Sequence, residues 1–262
     1  MAAIGIIGGS GLYEALGVEI EREIDVDTPY GLPSAPYMLG RLEGLPVHFL
    51  TRHGIRHEFP PHKVNYRANL WGFRELGVTR VLSLSASGGV NPALEPGTIV
   101  LIDQVLDFTG GARAHTFYED GEVVHVDFTE PYCPEMRAAL SRGAADLGQT
   151  IVHHGTYACT NGPRLESAAE VRLLAMAGAD VVGMTGMPEA ALAREAEICY
   201  ATLTVVTNPA AGLTGEKLTT TEVVEMMRDR IRRLMQITAA GLAHLPEARA
   251  CRCKDALKNA RM

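Results

Sequence analysis

Three short stretches end an apolar run on residues able to hold an oxyanion. In "LTRHG" (50–54), Arg52 offers a planar guanidinium fork and His53 a further donor. In "LSASGG" (84–89), Ser85 brings a hydroxyl, and the small residues Ala86, Gly88 and Gly89 let a ligand approach the backbone closely. In "GMTGMPEA" (183–190), Thr185 stands just ahead of a helix opened by Pro188. A fourth stretch, "IGIIGGSGLYEA" (4–15), runs from an apolar segment into a glycine turn carrying Ser10, whose backbone amides could ring one small anion. Read alone, that turn is equally a tight strand-to-helix connection. Together the four make one oxyanion pocket assembled from scattered loops.

The glycine pattern narrows what the anion can be. A dinucleotide fingerprint needs a third glycine where Glu14 stands, and a P-loop needs a lysine that the first 60 residues lack. A metal finds little support. His53, His57 and His62 have no carboxylate or cysteine complement at ligand spacing, and Pro60 and Pro61 break any helix face they could share. His153 and His154 would point to opposite faces of a strand. The five cysteines, Cys133, Cys159, Cys199, Cys251 and Cys253, are an odd number without a framework spacing, and the C-x-C pair alone is a weak metal motif. No metal and no resident cofactor are expected.

Alternating elements must position these groups. Apolar, β-branched runs at 4–7, 46–50, 79–84, 98–102, 151–158, 180–183 and 199–206 read as strands. Segments 64–76, 134–147, 167–178, 187–197 and 221–244 carry helical apolar spacing. The pattern predicts an α/β fold on one central sheet, a single domain over 1–245, with ligands at the strand ends. Residues 246–262, with Arg249, Arg252, Lys254, Lys258 and Arg261 close together, read as a solvated, flexible tail. A net charge of −7 gives no general field for nucleic acid or an acidic membrane surface. Cysteine usage and the lack of a leader or membrane-length apolar run lead us to expect a cytoplasmic protein.

The motifs "GIIGGSGL", "TRHGIRHEFPPHKVNYRANLWG", "EPYCP", "GPRLES", "GADVVGMTGMPEA" and "TNPAAG" together resemble the trimeric purine nucleoside phosphorylases and methylthioadenosine phosphorylases, from about residue 4 to 245. The resemblance implies a single α/β domain around a mixed, partly barrel-like sheet, assembled as a homotrimer. It implies that Ser10, Arg52, His53, Ser85, Ala86 and Thr185 bind inorganic phosphate as co-substrate, and that Met184 packs beneath a ribose.

The same resemblance bears on the base. A 6-oxopurine offers a donor at N1 and an acceptor at O6, whereas adenine offers the reverse. Glu166, beside Leu165 in "GPRLES", falls where the 6-oxopurine enzymes accept from N1–H. Asn208 and Ala210 stand where adenine enzymes carry aspartates. A carboxylate facing adenine N1 would oppose two acceptors. At the 5′ position Thr221, with Val224 on the same helical face and Met184 nearby, replaces the histidine of ordinary nucleoside enzymes and suits a methylthio group. Thr221 keeps a hydroxyl that can still bond a 5′-OH. His125 aligns with a histidine lent to the neighbouring subunit's sugar pocket.

The resemblance thus implies phosphorolysis of a 6-oxopurine nucleoside, closest to the 5′-methylthioinosine phosphorylases, with Asn208 and Glu166 as the groups that let the base leave. General inosine or guanosine phosphorolysis and methylthioadenosine phosphorolysis are the alternatives. A nucleoside hydrolase or a non-catalytic nucleoside binder would not need the phosphate pocket.

Overall fold

Runs such as "IGII", without a polar side chain, and the "VLSL" of "TRVLSL", with Val81, Leu82 and Leu84, suit strands covered on both faces. The computed structural model describes residues 4–9, 18–111, 113–214 and 220–262, with the side chains of 18 and 220–229 outside the description. Among these residues one mixed sheet contains β1 (Ile4–Gly8), β2 (Val18–Ile24), β3 (Tyr37–Leu42), β4 (Leu45–Thr51), β5 (Arg80–Gly89), β6 (Ile99–Leu101), β7 (Gln104–Phe108), β8 (Thr156–Thr160), β9 (Val181–Gly183) and β10 (Cys199–Pro209). The helices are α1 (Tyr66–Glu75), α2 (Pro134–Asp146), α3 (Ala168–Met176), α4 (Gly186–Glu195) and α5 (Thr220–Ala243).

The strand order is β2-β3-β4-β1-β5-β9-β8-β7, and β10 joins β5 and β6 off that path. β4, β1, β5 and β10 run parallel, whereas β9 meets the end of β5 antiparallel. β6 turns back along β10, and an isolated bridge between Val100 and Val152 reaches toward β8. These strands curl partway round without a continuous ladder closing the ring.

Alternation divides the core. Ile6, Leu82 and Leu203 face α2 and α5, packing with Leu140 and Leu234. Ile7, Val81 and Tyr200 belong to the opposite core, with Phe73 of α1 and Ala193 of α4. Each such fully buried large side chain contributes about 1.5–3 kcal/mol relative to exposure. α2 and α5 meet backbone to backbone: a Cβ on Gly143 would lie 2.3 Å from the Gly241 nitrogen, so that crossing requires glycine.

Three strands go beyond the sequence expectation. β2 and β7 are sheet edges: "VEIEREI" is charged along its exposed length and "QVLDF" is only half-covered, so neither reads as a core strand. β3 lies between β2 and β4. The strand expected over 151–158 begins only at Thr156. His153 and His154 precede it, the first facing Ser141 Oγ at 3.0 Å and the second Asp103 Oδ2 at 2.8 Å.

The expected flexible tail is corrected. Residues 246–262 dock on the domain, burying Cys251, Cys253 and Ala260. Arg249 donates to the Glu197 carbonyl (2.7 Å), and the amide of Ala250 donates to Glu135 Oε1 (2.7 Å). Of the charges that suggested a solvated segment, Arg252, Lys254, Lys258 and Arg261 are exposed, while Arg249 turns inward with Cys251, Cys253 and Ala260.

Candidate active site

Parallel register brings the strand ends to one edge. Gly8 lies opposite both Thr51 and Leu84, so Gly9, Arg52 and Ser85 follow side by side. On the far flank of β5, Asn208 of β10 pairs with Gly88 after a bulge. Because Val182 pairs antiparallel with Gly88, the chain beyond β9 returns alongside β5 and carries Met184 and Thr185 toward Ala86 and Ser85. Ala86 and Gly88 are the half-open positions in an otherwise buried β5.

Arg52 is buried and its fork is engaged. Nε donates to Glu189 Oε2 at 2.6 Å and Nη2 to Glu189 Oε1 at 2.9 Å, while Nη2 also reaches Ser83 Oγ at 2.7 Å. Tyr200 donates to the same Glu189 Oε1 at 2.6 Å. The fork that the sequence offers to an oxyanion therefore grips Glu189. Nη1, whose only contact among these is the Leu84 carbonyl at 3.5 Å, is the end left for an anion. Burial works against the charge of Arg52, but the Glu189 carboxylate outweighs it and the guanidinium pKa moves up.

His53 is held differently. Its Nδ1 lies 2.8 Å from the Phe59 carbonyl, which can only accept, so Nδ1 carries the proton. Burial, then the charge of Arg52, lowers its pKa to about 4. The ring is neutral at pH 7, and Nε2 is an acceptor rather than the expected donor. Ser85 Oγ is buried without a hydrogen-bond partner among the described residues. Thr185 is the N-cap residue of α4 but its side chain does not cap the helix. Met184 lies against Gly162, whose added Cβ would come 2.4 Å from the methionine sulfur.

Two further segments carry the residues that the sequence assigns to a base. Glu166 is half-buried, and its Oε1 accepts from Thr160 Oγ1 at 2.6 Å. Capping of α3 is done by Ser167 and Glu170 in a reciprocal box, so the Glu166 carboxylate has no capping duty. Leu165 beside it is exposed. Asn208 Oδ1 accepts from Thr207 Oγ1 at 2.8 Å and Nδ2 donates to the Pro209 carbonyl at 2.8 Å, leaving one donor and one acceptor position on its amide. Ala210 is buried, its amide bonded to the Gly89 carbonyl at 2.7 Å. The loop after it touches the start of α3, since a Cβ on Gly212 would come 2.3 Å from that of Ala168.

Ser10 lies outside the described residues, and so do the side chains of Thr221 and Val224, whose backbone belongs to α5. His125 stands apart on the exposed segment held by the C-terminal residues, its amide bonded to the Ala260 carbonyl at 2.8 Å. Sequence reading passed over Glu189, Tyr200 and Arg113. Arg113 is buried, donating to the carbonyls of Met187 (2.5 Å) and Asn161 (2.9 Å) and so tying the start of α4 to the loop after β8. A glutamate between Pro188 and two alanines carries a weak signal: it interrupts an otherwise apolar helix start.

Residues 3–243 match the model of the phosphorylase superfamily. The chain is 50% identical over 258 residues to a probable S-methyl-5′-thioinosine phosphorylase of Thermodesulfovibrio yellowstonii, covering 98% of this chain and 96% of that protein. It is 50% identical over 267 residues to the 6-oxopurine nucleoside phosphorylase of Pyrococcus furiosus, covering 99% of each. A crystal structure of a methylthioadenosine phosphorylase from an antarctic soil metagenomic library superposes with a TM-score of 0.92 at 37% identity, covering 100% of this chain and 92% of that one.

Proposed function

The chain is a member of the phosphorylase superfamily, and on that premise we propose that it cleaves 6-oxopurine nucleosides with inorganic phosphate, preferring 5′-methylthioinosine and releasing hypoxanthine and 5-methylthioribose 1-phosphate. The observation that carries the base assignment is Glu166: a carboxylate anchored by Thr160 and relieved of helix capping by Ser167 and Glu170. It suits a base that donates from N1. Asn208 offers a donor for O6 and an acceptor for N7–H, and Ala210 supplies no acceptor for a 6-amino group.

Cleavage of the glycosidic bond leaves positive charge on the ribosyl ring and negative charge on the purine, so catalysis is chiefly charge placement. Phosphate binds at the strand edge through Arg52 Nη1, Ser85, Thr185 and the glycine turn at Ser10. Neutral His53, with its proton on Nδ1, accepts the hydroxyl of hydrogen phosphate at Nε2. The phosphate then stabilises the ribosyl cation and attacks C1′ from the face opposite the departing base. Asn208 holds N7 as it gains a proton from solvent, directly or through a relay, and Glu166 keeps N1–H in place, so the base leaves neutral. Met184, Thr221 and Val224 form the 5′ slot. We read the working unit as a cytoplasmic homotrimer in which His125 completes a neighbour's sugar pocket.

The second reading, a general inosine and guanosine phosphorylase, differs only at the 5′ slot; it is favoured by the 6-oxopurine enzyme of Pyrococcus furiosus, at the same identity as the methylthioinosine relative. Free-base release from methylthioinosine, inosine and methylthioadenosine, each with and without phosphate, tests both. Phosphate-dependent turnover fastest on methylthioinosine is expected. Turnover without phosphate rejects phosphorolysis, a lead for inosine selects the second reading, and a lead for methylthioadenosine rejects the base assignment.

A further inference from the structure

Four of the five cysteines, distant in sequence, converge at one point of the core. Cys133 precedes α2, Cys199 opens β10, and Cys251 and Cys253 sit at a 3-10 turn in the docked C-terminal segment. Their sulfur atoms all lie within 4.8 Å of one another, and all four residues are buried. The fifth, Cys159, behaves as an ordinary core thiol against Met187.

We propose that Cys133, Cys199, Cys251 and Cys253 bind one tetrahedral divalent ion of the zinc class, latching the C-terminal segment to the domain. A zinc ion with Zn–S distances of about 2.3 Å holds its ligand sulfurs about 3.8 Å apart, the scale of this cluster. The Cys199–Cys251 separation of 3.3 Å is well beyond a covalent S–S bond. Extended backbone at Cys251 lets residues 251 and 253 turn inward while Arg252 between them is exposed, which explains how a C-x-C spacing can serve one ion.

The surroundings suit the charge. Four thiolates around a divalent ion carry a net −2, and the thiol protons released on loading pass to solvent. Two guanidinium groups face the sulfurs: Arg194 Nη1 is 3.6 Å from Cys253 Sγ, and Arg249 Nη1 is 4.0 Å from Cys199 Sγ. Such outer donors orient thiolate ligands and offset their charge. The site lies at the start of β10, at the end of that strand away from Asn208, so the ion is structural. Its reach is still functional. The latched segment pairs Arg261 with Val124 and binds the amide of His125, and so positions the segment that carries His125.

The test uses the full-length protein purified without chelator. Elemental analysis is expected to find about one zinc per chain, and Cys251→Ser or Cys253→Ser to lower that about tenfold or more. Because a variant could lose metal by misfolding, wild-type protein stripped of zinc is also titrated with Co2+, which should give the visible bands of a tetrahedral thiolate complex at one equivalent. Trypsin supplies a readout apart from activity: cleavage after Arg249, Arg252 or Lys254 should be suppressed by the ion and restored by stripping. Metal-free protein that takes up no Co2+ overturns the proposal. So does a thiol count below five in denatured, unreduced protein, which would assign the cluster to disulfides.

Discussion

Arg52 and Glu189 form a doubly bonded ion pair inside the sheet-helix interface, at 2.6 and 2.9 Å, with both side chains almost wholly removed from solvent. A buried pair of this kind adds little by itself, but removal of one partner strands the other charge. Glu189→Gln is therefore expected to destabilise the protein by roughly 3–5 kcal/mol, read as a shift of the urea midpoint. Phosphate should restore more stability to this variant than to wild type, because the anion then supplies the missing negative charge. Equal stabilisation of both proteins would mean that Arg52 does not reach the phosphate.

His53 sets a pH dependence of the opposite kind from a salt-bridged histidine. Its pKa is lowered from 6.5 to about 4, first by burial and then by Arg52. Between those values the unfolded chain binds a proton that the native protein refuses, so stability falls as pH drops through that window, by up to ~3 kcal/mol. Urea midpoints compared at pH 7 and pH 4.5 should show the loss, and His53→Gln should reduce it. A wild-type protein equally stable at both pH values would contradict the buried neutral ring.

Ser85 separates stability from function. Its buried hydroxyl has no partner among the described residues, and such a group carries a penalty of roughly 1–3 kcal/mol until a ligand meets it. Ser85→Ala should leave stability unchanged or slightly raised while the KM for phosphate rises about tenfold, the loss of one hydrogen bond to an anion. A variant that is destabilised with its phosphate KM unchanged would make Ser85 a packing residue.

The base assignment rests on polarity at residues 166 and 208. In the proposed base pocket, Asn208→Asp would remove the donor for O6 and add an acceptor suited to an amine, so the ratio of methylthioinosine to methylthioadenosine activity should fall about tenfold or more. An unchanged ratio would remove Asn208 from selectivity.

What could be read from the residues follows from how local each signal is. β1 has no polar side chain, β5 carries the apolar Val81, Leu82 and Leu84 near its start, and the five helices among the described residues carry their periodicity within themselves, so these elements are legible. β2 and β7 draw their strand character from pairing at the sheet edges, which short charged stretches do not display. Arg52 is legible as a candidate oxyanion group because its planar guanidinium fork suits carboxylate and phosphate oxygens. Its occupation by Glu189 is not, since 137 residues separate the two and only the closed fold joins them. The cysteine cluster is hidden for the same reason: residues 133, 199 and 251 have no spacing in common, and only the approach of α2, β10 and the C-terminal segment gives them one.

The C-terminal segment makes the final prediction. Residues 246–262 cover Cys133 and Cys199, cap Glu197 through the amide of Leu257, and hold the 123–125 segment by bonds from the amides of His125 and Met262. If the segment were a solvated tail, truncation after residue 245 would change neither stability nor thiol exposure. Docked as it is, truncation removes buried Cys251, Cys253 and Ala260 and leaves an apolar surface around the first turn of α2. The truncated protein should unfold at lower urea. Its Cys133 and Cys199 should react with a thiol reagent under native conditions, whereas the same two cysteines stay protected in the full chain. Since His125 is anchored only through the removed residues among its described backbone bonds, nucleoside KM should rise in the truncated protein more than phosphate KM. Equal protection of both thiols in the two proteins would return the segment to the status of a solvated tail.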